Sequence, residues 1–194
     1  MVRCYLGRRK STLAIPNTEE FLKNKNISDR MYACILLKGN KEGIYTYIEK
    51  GSRYICNELQ IDYYRTYKKR IAALVEGGYL ENCGNRYRVS LRTSADYSKY
   101  IDREIVEKLY NTGLDNLIKV YVRLSWLYYL KKEEAWFTYN SLLDIIGYDH
   151  NKQTKNREKM RMMLEKLEEL GLIQYEKMRD KRFSGMLKFR VLKI

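Results

Sequence analysis

The side chains best placed to do chemistry in this sequence are cations and hydrogen-bond donors rather than nucleophiles or metal ligands. Between Asp62 and Gly77, the residues Tyr64, Tyr67, Ile71, Leu74 and Val75 form one apolar stripe at helical spacing. With that stripe packed, steps of about 100° per residue place Arg65, Thr66 and Lys69 on the opposite face, with Tyr63 and Arg70 at one edge. Arginine and lysine suit the acceptor edge of guanine, threonine a thymine methyl or a phosphate, and tyrosine a phosphate oxygen. A helix divided in this way can pack one side on its domain and lay the other in a DNA major groove. A charged face that is merely solvated is the plainer alternative. Arg86 and Arg88, on a hairpin expected after this helix, point to the same partner.

A second cluster lies near the end of the chain. Residues 152–161 contain Lys152, Lys155, Arg157, Lys159 and Arg161 against the single acid Glu158, whereas residues 165–169 hold three glutamates and one lysine. Positive charge at a helix N-terminus opposes the macrodipole, so the arrangement asks for an external anion, and a phosphate backbone fits. Lys152, Lys155, Asn156 and Lys159 are its candidate contacts. Lys181 and Arg182, at the tip of a second expected hairpin, could reach an adjacent groove; a solvated, idle tip is the alternative.

Enzyme chemistry finds less support. His150 is the only histidine, which excludes a paired-histidine metal site, and no phosphate-binding glycine loop or nucleophile elbow occurs. The four cysteines (Cys4, Cys34, Cys56, Cys83) form no C-x-x-C pair. Cys34 and Cys56 fall in apolar patterns and read as reduced core thiols. The expectation is a non-enzymatic protein with no cofactor and no metal.

The elements that must hold these clusters come from a foldable composition: 194 residues, 45% hydrophobic and 13% aromatic. A total of 38 basic against 24 acidic residues gives a net charge of +14. Residues 1–96 carry 18 basic and 10 acidic residues and residues 97–194 carry 20 and 14, so both halves are basic. Such a surface attracts polyanions and releases condensed counterions on docking. No segment resembles a membrane span or a signal peptide, and a soluble cytoplasmic protein is expected.

Turn and cap signals divide the chain into a basic arm (1–26), a first domain (27–95), a helical linker (96–113) and a second domain (114–194). Ser28 is a good N-cap for a helix ended by Gly39-Asn40, residues 44–48 alternate as a strand, and Ser52 caps a short helix. After the helix of residues 62–77, Gly84-Asn85 marks a hairpin. The same order returns beyond residue 114, and Ile71, Leu74, Gly78, Tyr79 and Leu80 map onto Leu164, Leu167, Gly171, Leu172 and Ile173 at a constant offset of 93. The helix of residues 115–130 is apolar nearly all round from Val120 to Leu130, which predicts packing against the linker helix and the first domain, or a homodimer.

The run Cys56-Asn57-Glu58-Leu59-Gln60-Ile61-Asp62, followed by Thr66, Ile71, Leu74 and Gly78-Tyr79-Leu80, resembles the winged helix-turn-helix proteins of Gram-positive plasmids and phages, notably replication initiators and replisome organisers. The resemblance covers residues 13–91 and, more loosely, 114–192. It implies a mainly α fold with small β wings, built as two tandem winged-helix domains joined by a helical linker. The second unit departs in length, with 22 positions from Asp149 to Gly171 against 16 from Asp62 to Gly78. The implied function is sequence-specific binding of double-stranded DNA at a plasmid or phage origin, with replication proteins as further partners. A transcription regulator of a mobile element is the second reading, and a non-enzymatic adaptor or inhibitor the third.

Overall fold

The computed structural model describes residues 11–51, 53–90, 98–131, 135–149, 153–177 and 186–193. The chain opens with strand β1 (Thr12–Pro16) and helix α1 (Glu19–Lys23), which is capped by the Thr18 hydroxyl accepting from the Phe21 N–H. Helix α2 (Asp29–Lys38) starts at Ser28, whose hydroxyl accepts from the Met31 N–H, and strands β2 (Asn40–Glu42) and β3 (Tyr45–Glu49) follow. Next come α3 (Arg53–Leu59), a π-helical turn (Tyr63–Tyr67) running directly into α4 (Lys68–Glu76), and the hairpin β4 (Leu80–Cys83) and β5 (Arg86–Val89). Strand β6 (Ser98–Asp102) and helix α5 (Arg103–Asn111) lead to α6 (Leu117–Lys131). The chain ends with β7 (Ala135–Thr138), α7 (Tyr139–Ile145), α8 (Gln153–Glu169), β8 (Ile173–Lys177) and β9 (Met186–Val191).

The mainly α architecture with small β wings is overturned. The described residues are 52% helical and 25% strand, with three small antiparallel sheets, so the fold is mixed α/β. The sheets run β1-β6, β2-β3-β5-β4 and β7-β9-β8. The excess of strand over expectation has a physical cause. β1 and β6 pair across the whole first unit, Thr12 opposite Asp102 and Pro16 opposite Ser98, and no local alternation announces so distant a pairing. β2 is the polar triplet Asn40-Lys41-Glu42, exposed throughout, which gives no apolar signal at all. Residues 11–26 are consequently not an arm: Ile15, Phe21 and Leu22 are buried, and the Phe21 ring meets Tyr32 and Tyr79 edge-on at 5.4 and 5.1 Å. Residues 1–10, with Arg8-Arg9-Lys10, lie outside the described residues, as does Ser52. The linker is a strand followed by a helix rather than one helix.

The repeat at offset 93 is visible in the backbone. Tyr79 N–H donates to Leu74 O and Gly78 N–H to Val75 O; the pairs Leu172 to Leu167 and Gly171 to Glu168 do the same. Both helices therefore end in a Schellman motif, with Gly78 and Gly171 at φ of +68° and +64°, a conformation glycine adopts without a Cβ penalty. Equivalent bonds close α3 (Ile61 to Cys56) and α7 (Tyr148 to Leu143).

One hydrophobic cluster runs through both halves of the chain. Its spine is α6, which packs against α2, α5, α7 and α8 and the strands β6, β7 and β9. Leu117, Ile118, Val120, Tyr121, Val122 and Leu124 are buried there, so this helix needs no second copy to cover it; Tyr129 and Leu130 at its end are exposed. Among the described residues no helix is long and apolar enough to cross a membrane.

Candidate nucleic-acid interface

Asp62 starts the first candidate helix by accepting from the Arg65 N–H at 2.6 Å. The first turn is then π-helical, with Tyr67 N–H bonded to Asp62 O and the Lys68 N–H to Tyr63 O. The extra residue in that turn rotates everything N-terminal to it relative to the buried face of α4. Tyr64, expected in the apolar stripe, is therefore 70% exposed, and the stripe begins at Tyr67, 2% exposed. Arg65 and Lys69 face solvent, joined by Lys68, while Thr66 is half-buried. Lys68 Nζ lies 4.8 Å from the Tyr64 ring centroid. Helical periodicity puts Lys68 beside the apolar stripe, about 60° from Ile71, but its long stem carries the ammonium out to solvent.

Tyr63 is half-buried and stacked on Tyr67 at 5.3 Å, so its ring faces the protein. Arg70 also turns inward. It donates to Ser28 Oγ at 3.3 Å and approaches Asp115 at 4.0 Å, which ties α4 to the start of α2 and of α6.

Arg86 and Arg88 lie on one face of the β2-β3-β5-β4 sheet, over the rings of Tyr47 and Tyr45 at 4.5 and 4.8 Å. Arg86 is paired with Glu42 and Arg88 with Glu81. This makes a cation-aromatic platform whose charge is balanced locally. Ion pairs this exposed are weak because water screens them, so a phosphate can displace the carboxylates.

In the second unit, Thr138 and Ser141 form a reciprocal capping box that starts α7. Lys155 and Lys159 on α8 are exposed, the latter with Nζ 5.9 Å from the Tyr148 ring centroid. Asn156 is half-buried, and its amide donates to Asp149 O at 2.7 Å. Arg157 donates to Asn140 Oδ1 at 3.0 Å, and Arg161 is 3.5 Å from Glu165. No acid stands in the first turn of α8 or of α4. Lys152, Lys181, Arg182 and His150 lie outside the described residues.

A polar junction that the sequence does not reveal holds the two units together. Asp29 is 1% exposed, and its carboxylate accepts from the backbone N–H groups of Asn116, Ile118 and Lys119 at 3.0, 3.0 and 3.2 Å. An acid from α2 thus caps the N-terminus of α6. Lys119, also 1% exposed, donates from Nζ to Asn24 O at 3.1 Å and Ile27 O at 2.7 Å. Burial raises the Asp29 carboxyl, against the pull of Lys119 and the amides, and lowers the Lys119 ammonium to about 8. In sequence Asp29 reads only as an ordinary first-turn acid behind its N-cap.

Compared with protein-family models, with curated proteins and with solved structures, the chain matches none.

Proposed function

We propose that this protein binds double-stranded DNA sequence-specifically, at the origin of a plasmid or phage, and presents that DNA to replication proteins. The supporting observation is the solvent-facing set Arg65, Lys68 and Lys69 at the beginning of a helical segment whose other side is packed in the core. Its donors stand where a groove-reading helix carries them, and a chain with net charge +14 supplies the long-range attraction. Lys155 and Lys159, on the N-terminal part of α8, offer a second phosphate contact. The origin itself is named on the likeness of residues 56–80 to plasmid and phage initiators.

The test is selection of bound duplexes from a random pool at ~0.15 M salt, where attraction is screened beyond about 8 Å. An enriched asymmetric or directly repeated motif is the expected result, and Arg65→Ala or Lys69→Ala then lowers specific affinity by ~1–3 kcal/mol per base contact at unchanged melting temperature. A short palindrome instead indicates a dimeric transcription regulator. No enrichment sinks sequence-specific recognition and favours an adaptor or inhibitor whose basic faces meet an acidic surface.

A further inference from the structure

Between the π turn, α4 and the β2-β3-β5-β4 sheet lies a groove of about 420 Å³, within the range of roughly 300–1,000 Å³ typical of small-ligand sites. Tyr63 and Tyr67, stacked with 16° between their planes, line one side and Tyr87 another. Two ammonium groups stand beside these rings: Lys50 Nζ is 5.3 Å from the Tyr87 centroid and Lys68 Nζ is 5.5 Å from that of Tyr63. Tyr67 is 2% exposed, and its buried hydroxyl has no hydrogen-bond partner among the described residues.

Flat rings ask for a planar partner and the two ammonium groups for an anion. We propose that the groove holds one unpaired nucleotide, its base among the side chains of Tyr63, Tyr67 and Tyr87 and its phosphate at Lys50 and Lys68. Glu76, which also lines the groove, repels a phosphate but accepts from an exocyclic amine, so cytosine and adenine are favoured over thymine. The inference rests on the nucleic-acid reading above and deepens it. The groove lies beside the helical segment that carries Arg65 and Lys69, so the nucleotide it takes is one released from pairing next to a bound duplex. A free nucleoside monophosphate has the same chemistry and is the other source.

The experiment compares binding of a blunt hairpin duplex, the same duplex with one bulged adenosine, and the same bulge made abasic, together with titration of adenosine 5′-monophosphate into the full chain. The bulged duplex should bind about fivefold tighter or more than the other two. Ala72, exposed on α4 and lining the groove, provides the blocking variant: Ala72→Trp should abolish the preference while leaving blunt-duplex affinity and melting temperature unchanged. Equal affinity for all three duplexes overturns the groove proposal and leaves duplex binding standing. If no duplex binds, the duplex reading fails and the mononucleotide decides alone: saturable binding that disappears in Ala72→Trp supports the groove, and no binding overturns it.

Discussion

Asp29 and Lys119 show how a residue's role depends on neighbours far along the chain. Lys119 carries a depressed pKa of about 8 against the ordinary 10.5 because burial disfavours its charge; Asp29 and Asp115 oppose that shift and Arg70 adds to it. Above pH 8 the unfolded chain therefore holds more protons at this site than the folded one, and stability rises with pH until the ordinary value is passed. Cys34, Cys56 and the buried tyrosines Tyr32, Tyr67 and Tyr110 are raised instead, so they hold more protons when folded and lower stability as they titrate at higher pH. The difference between wild type and Lys119→Met isolates the lysine. Urea midpoints measured from pH 7 to about 9 should rise in the wild type relative to the variant; parallel curves would show that Lys119 keeps an ordinary pKa.

Among elements, α8 separates two roles along one helix. Leu164 and Leu167 are fully buried on its inner face, and Lys155 and Lys159 are exposed toward its N-terminus. Leu164→Ala should cost ~2–5 kcal/mol of stability, through reduced burial plus a cavity. Lys155→Ala with Lys159→Ala should do the reverse, leaving the melting temperature equal or slightly higher because two cations near the positive end of the helix dipole are removed. The same double variant should lower the dependence of DNA affinity on salt, by about one unit of log–log slope for each phosphate that is no longer neutralised. Weakened folding in the double variant, or an unchanged salt slope, would place these lysines in the fold rather than at a phosphate. Straight α geometry serves for α8 and fails for the segment of residues 63–76, where the π turn moves Tyr64 out of the stripe.

On the scale of the whole molecule, the two repeated units share a core instead of standing as separate beads. The β1-β6 pair, the Asp29 cap on α6 and the Arg70 contact to Asp115 all cross between segments far apart in sequence. Both tryptophans, Trp126 and Trp136, lie in the second half, and Phe21, 0% exposed, lies near the beginning. Phe21→Ala should cost ~3–5 kcal/mol and shift the unfolding midpoint reported by tryptophan fluorescence as far as that reported by circular dichroism. A fluorescence midpoint that stays in place while the other moves would show that the halves unfold independently.

Much of the local structure was legible because it depends on residues within a few positions of one another. The Ser28 cap, the breaks at Gly39, Gly78 and Gly171, the hairpin at Gly84-Asn85 and the repeat at offset 93 are all of that kind, and so is the basic character of Arg65, Lys69, Lys155 and Lys159. Tertiary structure alone decided the rest. β1 finds its partner more than 80 positions away, Arg70 turns to Asp115 instead of solvent, Arg86 and Arg88 acquire Glu42 and Glu81, and Tyr67 is left with a hydroxyl that no described residue satisfies. Each of these depends on which distant segment packs alongside. Periodicity along the chain records how much of an element is buried, not what buries it.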